Sequence, residues 1–185
     1  MYTHITGSPI RNQLFLRSCL TFRYPTQENW FRENGASFVF MKIIFDYNRT
    51  IFDPETDNLY LGVLELLQKL SSKYELFLIS RNEPTRKKRL EELNIKNYFQ
   101  KILFVNEKSK QVFEEIAGNT KKVIVIGDSI SDEIKIGNEL GFLTIRLKKG
   151  KFAMEIPKNK KEIAKFEITK INDLEKIILS YEKRN

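Results

Sequence analysis

The chain is poor in the residues that staple small folds together. One cysteine and one histidine in 185 residues exclude a disulfide framework and leave no Cys/His set for a structural zinc. A reducing, cytoplasmic compartment is the simplest setting for such a composition. No apolar run approaches the ~20 residues needed to cross a bilayer. The first residues also lack the uninterrupted apolar core of a secretory signal, so no membrane association is expected. The Asn48-Arg49-Thr50 triplet then matches a glycosylation sequon only by coincidence.

Lysine is missing from one region alone. Residues 1–40 hold four arginines and no lysine, whereas all 22 lysines fall in residues 41–185. His4, Cys19 and Trp30 also lie in the first forty positions, and the sequence has no other residue of those three types. So sharp a change at Met41 predicts an N-terminal extension over 1–40 and a domain over 41–185. Three origins for the extension stay open: an in-frame stretch read from too early a start, an arginine-bearing and acid-poor targeting peptide, or an extension that packs on the domain or a neighbour.

The 185 residues together are 41% hydrophobic and 30% charged, the composition of one globular core. The formal charge of +8 is spread along the chain, with short clusters at Arg86–Arg89, Lys148–Lys151 and Lys158–Lys161. Each cluster is either solvated surface or an attractor for anionic substrates. A nucleic-acid partner is compatible with the charge, although no motif supports one.

From Met41 onward, short apolar runs alternate with helical patterns. Strands are predicted at Met41–Phe45, Glu75–Ile79, Ile102–Val105, Val123–Ile126 and Phe142–Ile145, with a weaker one at Phe166–Ile168. Leu59, Val63, Leu66, Leu67 and Leu70 recur at helical spacing, as do Val112, Phe113 and Ile116, and a last helix is expected from about Asn172 to Tyr181. Gly118 and Gly141 stand where helices would end. This alternation predicts an α/β fold: a doubly wound, mostly parallel sheet of five to six strands with helices on both faces. Such sheets bind ligands beyond the carboxyl ends of their strands, at the switch in strand order.

The residues that follow each strand are chemically coherent. Asp46 ends the first, Ser80 the second ("LFLIS"), "NEKSK" with Lys108 and Lys110 follows the third, and "IGDSISDE" with Asp128 and Asp132 follows the fourth. Carboxylates gathered at a sheet edge suit Mg2+, which prefers oxygen ligands. A hydroxyl and an ammonium can hold phosphoryl oxygens while a free carboxylate acts as nucleophile. Taken singly, Ser80 could equally cap a helix, and Asp128 could do the same.

In order and spacing, "FDYNRTIFD", "LFLIS", Lys108 and "VIVIGDSISDE" resemble the four motifs of the haloacid dehalogenase (HAD) superfamily. The resemblance implies an Mg2+-dependent phosphohydrolase working through an aspartyl phosphate. Asp46 would be the nucleophile and a metal ligand, and the backbone carbonyl of Asn48 a second ligand. Asp128 would bind the metal, with Asp132 a further ligand or an acceptor beside it. Ser80 and Lys108 would hold the phosphoryl group, and Thr50 would shape the loop. Lys108 fits the spacing to Phe113 better than Lys110 does, and both remain candidates. Asn48, Arg49, Arg81 and Asn82 are the expected substrate contacts, together with Tyr47.

The sequence departs from the resemblance at Asn48. Phosphatases of the superfamily carry an aspartate there that protonates the leaving oxygen, and an amide cannot. Loss of such a group typically costs about 10² to 10⁴ in rate. Asp53 and Glu83 are the nearby acids that could substitute. Only 33 residues separate Asp46 from Ser80, and 27 separate Ser80 from Lys108, too few for the cap domains of many relatives. By resemblance, an open site goes with macromolecular substrates or with homo-oligomers whose neighbours form the lid. The expected partner is a phosphorylated small molecule or macromolecule. The alternatives are an impaired module that binds a phosphorylated partner and a nucleic-acid end phosphatase.

Overall fold

The structure, a computed structural model, describes residues 41–183, within the compact unit Val39–Asn185. The three origins considered for residues 1–40 lie outside the described residues. Eight strands form: β1 Lys42–Asp46, β2 Phe52–Asp53, β3 Asn58–Leu59, β4 Glu75–Arg81, β5 Lys101–Val105, β6 Val123–Gly127, β7 Leu143–Leu147 and β8 Phe166–Ile168. Six of them build one sheet in the order β5-β4-β1-β6-β7-β8, and every neighbouring pair is parallel.

The apolar runs are continuous because both faces of the sheet are covered. Along β1, Ile43 and Phe45 face one cluster and Ile44 the other; Leu76 and Leu78 of β4 oppose Phe77 and Ile79 in the same way. Val63, Leu66, Leu67 and Leu70 of the helix Val63–Ser71, with Leu174 and Ile178 of the helix Leu174–Glu182, cover the first face. Phe113, Ile116 and Ala117 of the helix Lys110–Ala117 cover the second. Each fully buried aliphatic or aromatic side chain contributes about 1.5–3 kcal/mol.

Three local expectations are corrected. Leu59 belongs to β3, which pairs antiparallel with β2, so the first helix starts at Val63. Here the Leu61-Gly62 turn divides the apolar spacing that reads as one helix. β4 continues through Ser80 to Arg81, so Ser80 lies inside the strand, and the helix Arg86–Glu92 is capped at Thr85. The last helix begins at Leu174, after a 3-10 turn over Ile171–Asp173. Gly118 and Gly141 follow their helices with φ 58° and 73°, conformations glycine adopts without steric cost.

Strand order places the switch between β1 and β6: the chain runs outward from β1 through β4 to β5, then returns to β6 on the other side of β1. Between β1 and β4 it forms only the hairpin β2–β3 and one helix, and between β4 and β5 one helix and a 3-10 turn. Among the described residues no cap domain is inserted and no helix is long and apolar enough to cross a membrane.

Candidate active site

Asp46 closes β1 beside the end of β6, where Phe45 pairs with Ile126, and Asp128 directly follows β6. Both carboxylates are buried. An ionised group in that position is costly unless something answers its charge. For Asp46 the answers are Lys108 Nζ, which donates to Oδ1, and Thr50 Oγ1, which donates to Oδ2 at 3.1 Å. Of the two candidate lysines, Lys108 is the one brought to Asp46; Lys110 lies 3.9 Å from Glu114 on an exposed helix face.

Lys108 also donates to Glu133 Oε1. Burial by itself pulls its ammonium down, yet Asp46 and Glu133 outweigh that and hold its pKa above the usual lysine range. Glu133 is pushed upward by its burial against the pull of Lys108. Sequence reasoning missed Glu133, and no residue pattern marked it. A Cβ at Gly127 would lie 2.6 Å from Glu133 Oε2, so the glycine makes room for a carboxylate packed against the strand end.

The neighbouring acids are separated by an unusual turn. Ile130–Ile134 winds as one π-helical turn capped by Ser129, whose Oγ accepts from the Asp132 amide at 3.3 Å. Wide turns of this kind recur at functional sites. Ser129, not Asp128, is therefore the cap. The turn aims Glu133 inward and Asp132 toward the rim, where Asp132 Oδ2 accepts from Arg81 Nη2 at 2.8 Å. Asp132, expected as a ligand or an acceptor beside the metal, lines the same cavity as Asp46 but gives its carboxylate to Arg81.

Asp128 accepts from Arg49 Nε at 2.7 Å. Desolvation, and then the charge of Asp46, push its pKa up to about 6, against the pull of Arg49 and Lys108. Ser80 is fully buried; its Oγ donates to the Arg81 carbonyl at 3.1 Å and accepts from Arg86 Nη1 at 3.0 Å. Arg86 is a second residue the sequence did not single out, hidden in a basic cluster. Arg81 is exposed at the rim. Asn82 is exposed, with its amide bonded to the Val105 carbonyl at 2.8 Å, and it lines neither cavity described next.

A polar cavity of about 230 Å³ is lined by Asp46, Asn48, Arg49, Lys108 and Asp128 among others. A wider one of about 560 Å³ adjoins it and shares Asn48, Glu83 and Arg86. Tyr47, stacked on Phe52 at 4.9 Å, forms part of its wall. Burial pushes the Tyr47 phenol up to about 12, and its buried Oη has no partner among the described residues. Glu83 lines both cavities and accepts from Arg86 Nη2 at 2.5 Å. Asp53 instead accepts from the Glu55 amide at 3.1 Å, holding the start of the hairpin turn.

Among the described residues no three carboxylate, imidazole or thiolate groups gather into a complete side-chain cage for a metal. The donor chemistry nevertheless fits Mg2+, which is commonly held by one or two carboxylates with water and substrate oxygens. Burial is the larger cause of the upward shift of Asp128, and the part that Asp46 adds is the repulsion a divalent cation would relieve.

A family model described as haloacid dehalogenase-like hydrolase matches residues 14–146. A search of curated proteins returned no match. Among solved structures the chain is similar to YfnB of Bacillus subtilis, described as a HAD-hydrolase and bound to magnesium, with TM-score 0.56 and 24% identity over 65% of this chain and 56% of that one. The chain thus spans little more than half of that relative's length. It is also similar to an uncharacterized protein of Listeria monocytogenes serotype 4b (TM-score 0.64, 18% identity, 77% of this chain, 99% of that one). A third likeness is to a HAD phosphatase of Thermococcus onnurineus (TM-score 0.55, 17% identity, 65% and 58%). At these identities the structures testify to the fold alone. The matched family model covers well over half of the sequence, and the chain belongs to the haloacid dehalogenase-like hydrolases.

Proposed function

We propose that the protein is an Mg2+-dependent phosphohydrolase that works through an aspartyl phosphate, with a weakened proton-transfer step. The observation that supports this best is the position of Asp46, a buried carboxylate at the switch point with Lys108 on one oxygen and Thr50 on the other. Asp46, Asp128 and the Asn48 carbonyl would hold Mg2+, which when bound would neutralise charge on the phosphoryl oxygens.

The chain's own groups supply the rest. An Asp46 oxygen attacks phosphorus as the bond to the leaving oxygen breaks. Lys108 and Arg86 would hold phosphoryl oxygens, and the buried Ser80 hydroxyl, which accepts from Arg86, would position that guanidinium. The leaving group departs toward the wider cavity and takes its proton from water or from Glu83, because Asn48 has none to give. Water then cleaves the acyl phosphate, releasing inorganic phosphate and restoring Asp46. Substrates whose leaving groups need little protonation, such as acyl and aryl phosphates, suit this arrangement.

The test is hydrolysis of an acyl phosphate and an aryl phosphate with Mg2+ by wild type, Asp46→Asn and Asn48→Asp. Turnover is expected to vanish with Asp46→Asn and to rise with Asn48→Asp, by as much as about 10² for poor leaving groups. Turnover that survives Asp46→Asn sinks the proposal. A silent wild type that gains turnover with Asn48→Asp would favour a binding role for an intact site.

A further inference from the structure

Arg49 stands where the turn after β1 makes it conspicuous. Its φ is 63°, a left-handed conformation that residues with a Cβ adopt at a steric cost and that tends to persist where something else holds it. Three contacts hold it. Nε donates to Asp128 Oδ2 at 2.7 Å. The guanidinium lies over the Phe152 ring, 4.7 Å from its centroid. Gly150 leaves room for the stem, since a Cβ there would lie 3.2 Å from Arg49 Cδ.

Phe152 is itself fixed. The fully buried Arg146 donates from Nη2 to the carbonyls of Phe152 and Glu155, at 2.6 and 3.0 Å, and Glu155 Oε2 accepts from the Ile130 amide at 3.3 Å. A loop from beyond β7 is thus tied to the end of β6, and its aromatic ring backs the arginine that faces Asp128. Planar guanidinium on an aromatic face with one carboxylate partner is a favourable site for arginine. The same carboxylate is one of the two carboxylates assigned to the metal.

We propose that Arg49 is a resident counter-ion of Asp128 that a divalent cation must displace, so that guanidinium and metal compete for this carboxylate. The inference rests on the proposal that Asp46 and Asp128 form the metal position. It predicts weak divalent binding by the protein without substrate, and a site that tightens when the arginine is removed.

Mn2+ binding to the full chain, followed by electron paramagnetic resonance and calorimetry without substrate, tests it. Arg49→Gly also suits the left-handed backbone, so folding is expected to survive, as circular dichroism would verify. Freeing a charge-assisted carboxylate contact should tighten Mn2+ binding about tenfold. Phe152→Ala, which loosens the guanidinium, should shift affinity the same way by less, and it keeps the test alive should Arg49→Gly fail to fold. The gain should disappear in Arg49→Gly/Asp128→Asn. Equal affinity in wild type and Arg49→Gly, no binding by either, or a gain that survives loss of Asp128 would overturn the proposal. A chain that hydrolyses nothing but shows the gain would defeat the hydrolase proposal and leave this one standing. Turnover that needs Asp46, with no shift in Mn2+ affinity, would do the reverse.

Discussion

Asp46 and Asp128 end neighbouring strands of one sheet, both are buried, and their charges are answered in different ways. The partner of Asp46 is Lys108, itself only 6% exposed and shared with the buried Glu133. The partner of Asp128 is Arg49, 21% exposed and bonded to no other acid among the described residues. Lys108 is enclosed by two carboxylates, so moving it would strand both. Arg49 lies on the cavity wall and is partly exposed. By our proposal Asp46, nucleophile and ligand both, keeps a fixed counter-charge that orients it, whereas the counter-charge of Asp128, a ligand alone, is the one the metal displaces.

The largest test of that contrast is kinetic. Asp46→Asn should lower hydrolysis of an aryl phosphate by on the order of 10⁴ or more, because it removes the carboxylate on which the proposed covalent intermediate forms. Asp128→Asn should leave a measurable residue of activity, since it weakens charge stabilisation without removing the nucleophile. Equal losses would erase the distinction between the two acids.

Stability should separate the two cations next. Lys108→Met leaves Asp46 and Glu133 buried without their shared ammonium, and breaking such a cluster costs about 3–5 kcal/mol. Arg49→Gly leaves the buried Asp128 without its cation but relieves a strained φ, so its cost should stay near the lower end of about 1–3 kcal/mol. Urea unfolding of both variants measures the gap. A gap below about 1 kcal/mol would mean that Lys108 is no more firmly held than Arg49.

The sequence made the sheet and its ligand edge readable for a physical reason. β1, β4 and β6 are covered on both faces, so their apolar runs are unbroken and the polar residues that end them stand out. Glu133 was not readable, because which of two adjacent acids turns inward depends on the π-helical turn over Ile130–Ile134, and a residue pattern does not reveal that winding. Arg86 was hidden for a different reason. It sits in a basic run that reads as solvated surface, and only the placement of the helix Arg86–Glu92 brings its guanidinium to Ser80. The hairpin β2–β3 escaped because two-residue strands carry no periodicity.

Acidity offers a third comparison. Asp128 holds its proton in the native state up to about pH 6, against 3.8 for the ordinary side chain, so across that window the native chain binds more protons than the unfolded one. Stability should therefore rise as pH falls from about 6 toward 4, by up to about 3 kcal/mol from this residue. Other carboxylates titrate in the same range, so the informative quantity is the difference between wild type and Asp128→Asn in urea midpoints at pH 7 and pH 4.5. Identical pH profiles would mean that Arg49 fully neutralises Asp128.

The smallest expected effect concerns what keeps Lys108 fixed. Gly127→Ala would place a methyl 2.6 Å from Glu133 Oε2 and 2.8 Å from its Cβ and Cγ, contacts that force the acid and its lysine to shift. Overpacking of this kind costs about 1–3 kcal/mol. In a Glu133→Ala background two of the three contacts vanish while the one to Cβ remains, so the penalty for Gly127→Ala should shrink without disappearing, a coupling that a double-mutant cycle measures. The effect should reach the chemistry as well: displacing Glu133 displaces Lys108, and hydrolysis should slow more than Mn2+ binding weakens, because Lys108 serves Asp46 and the Asp128 side has its own cation. A Gly127→Ala variant that loses metal affinity and turnover in equal measure would show instead that the two carboxylates move as one unit.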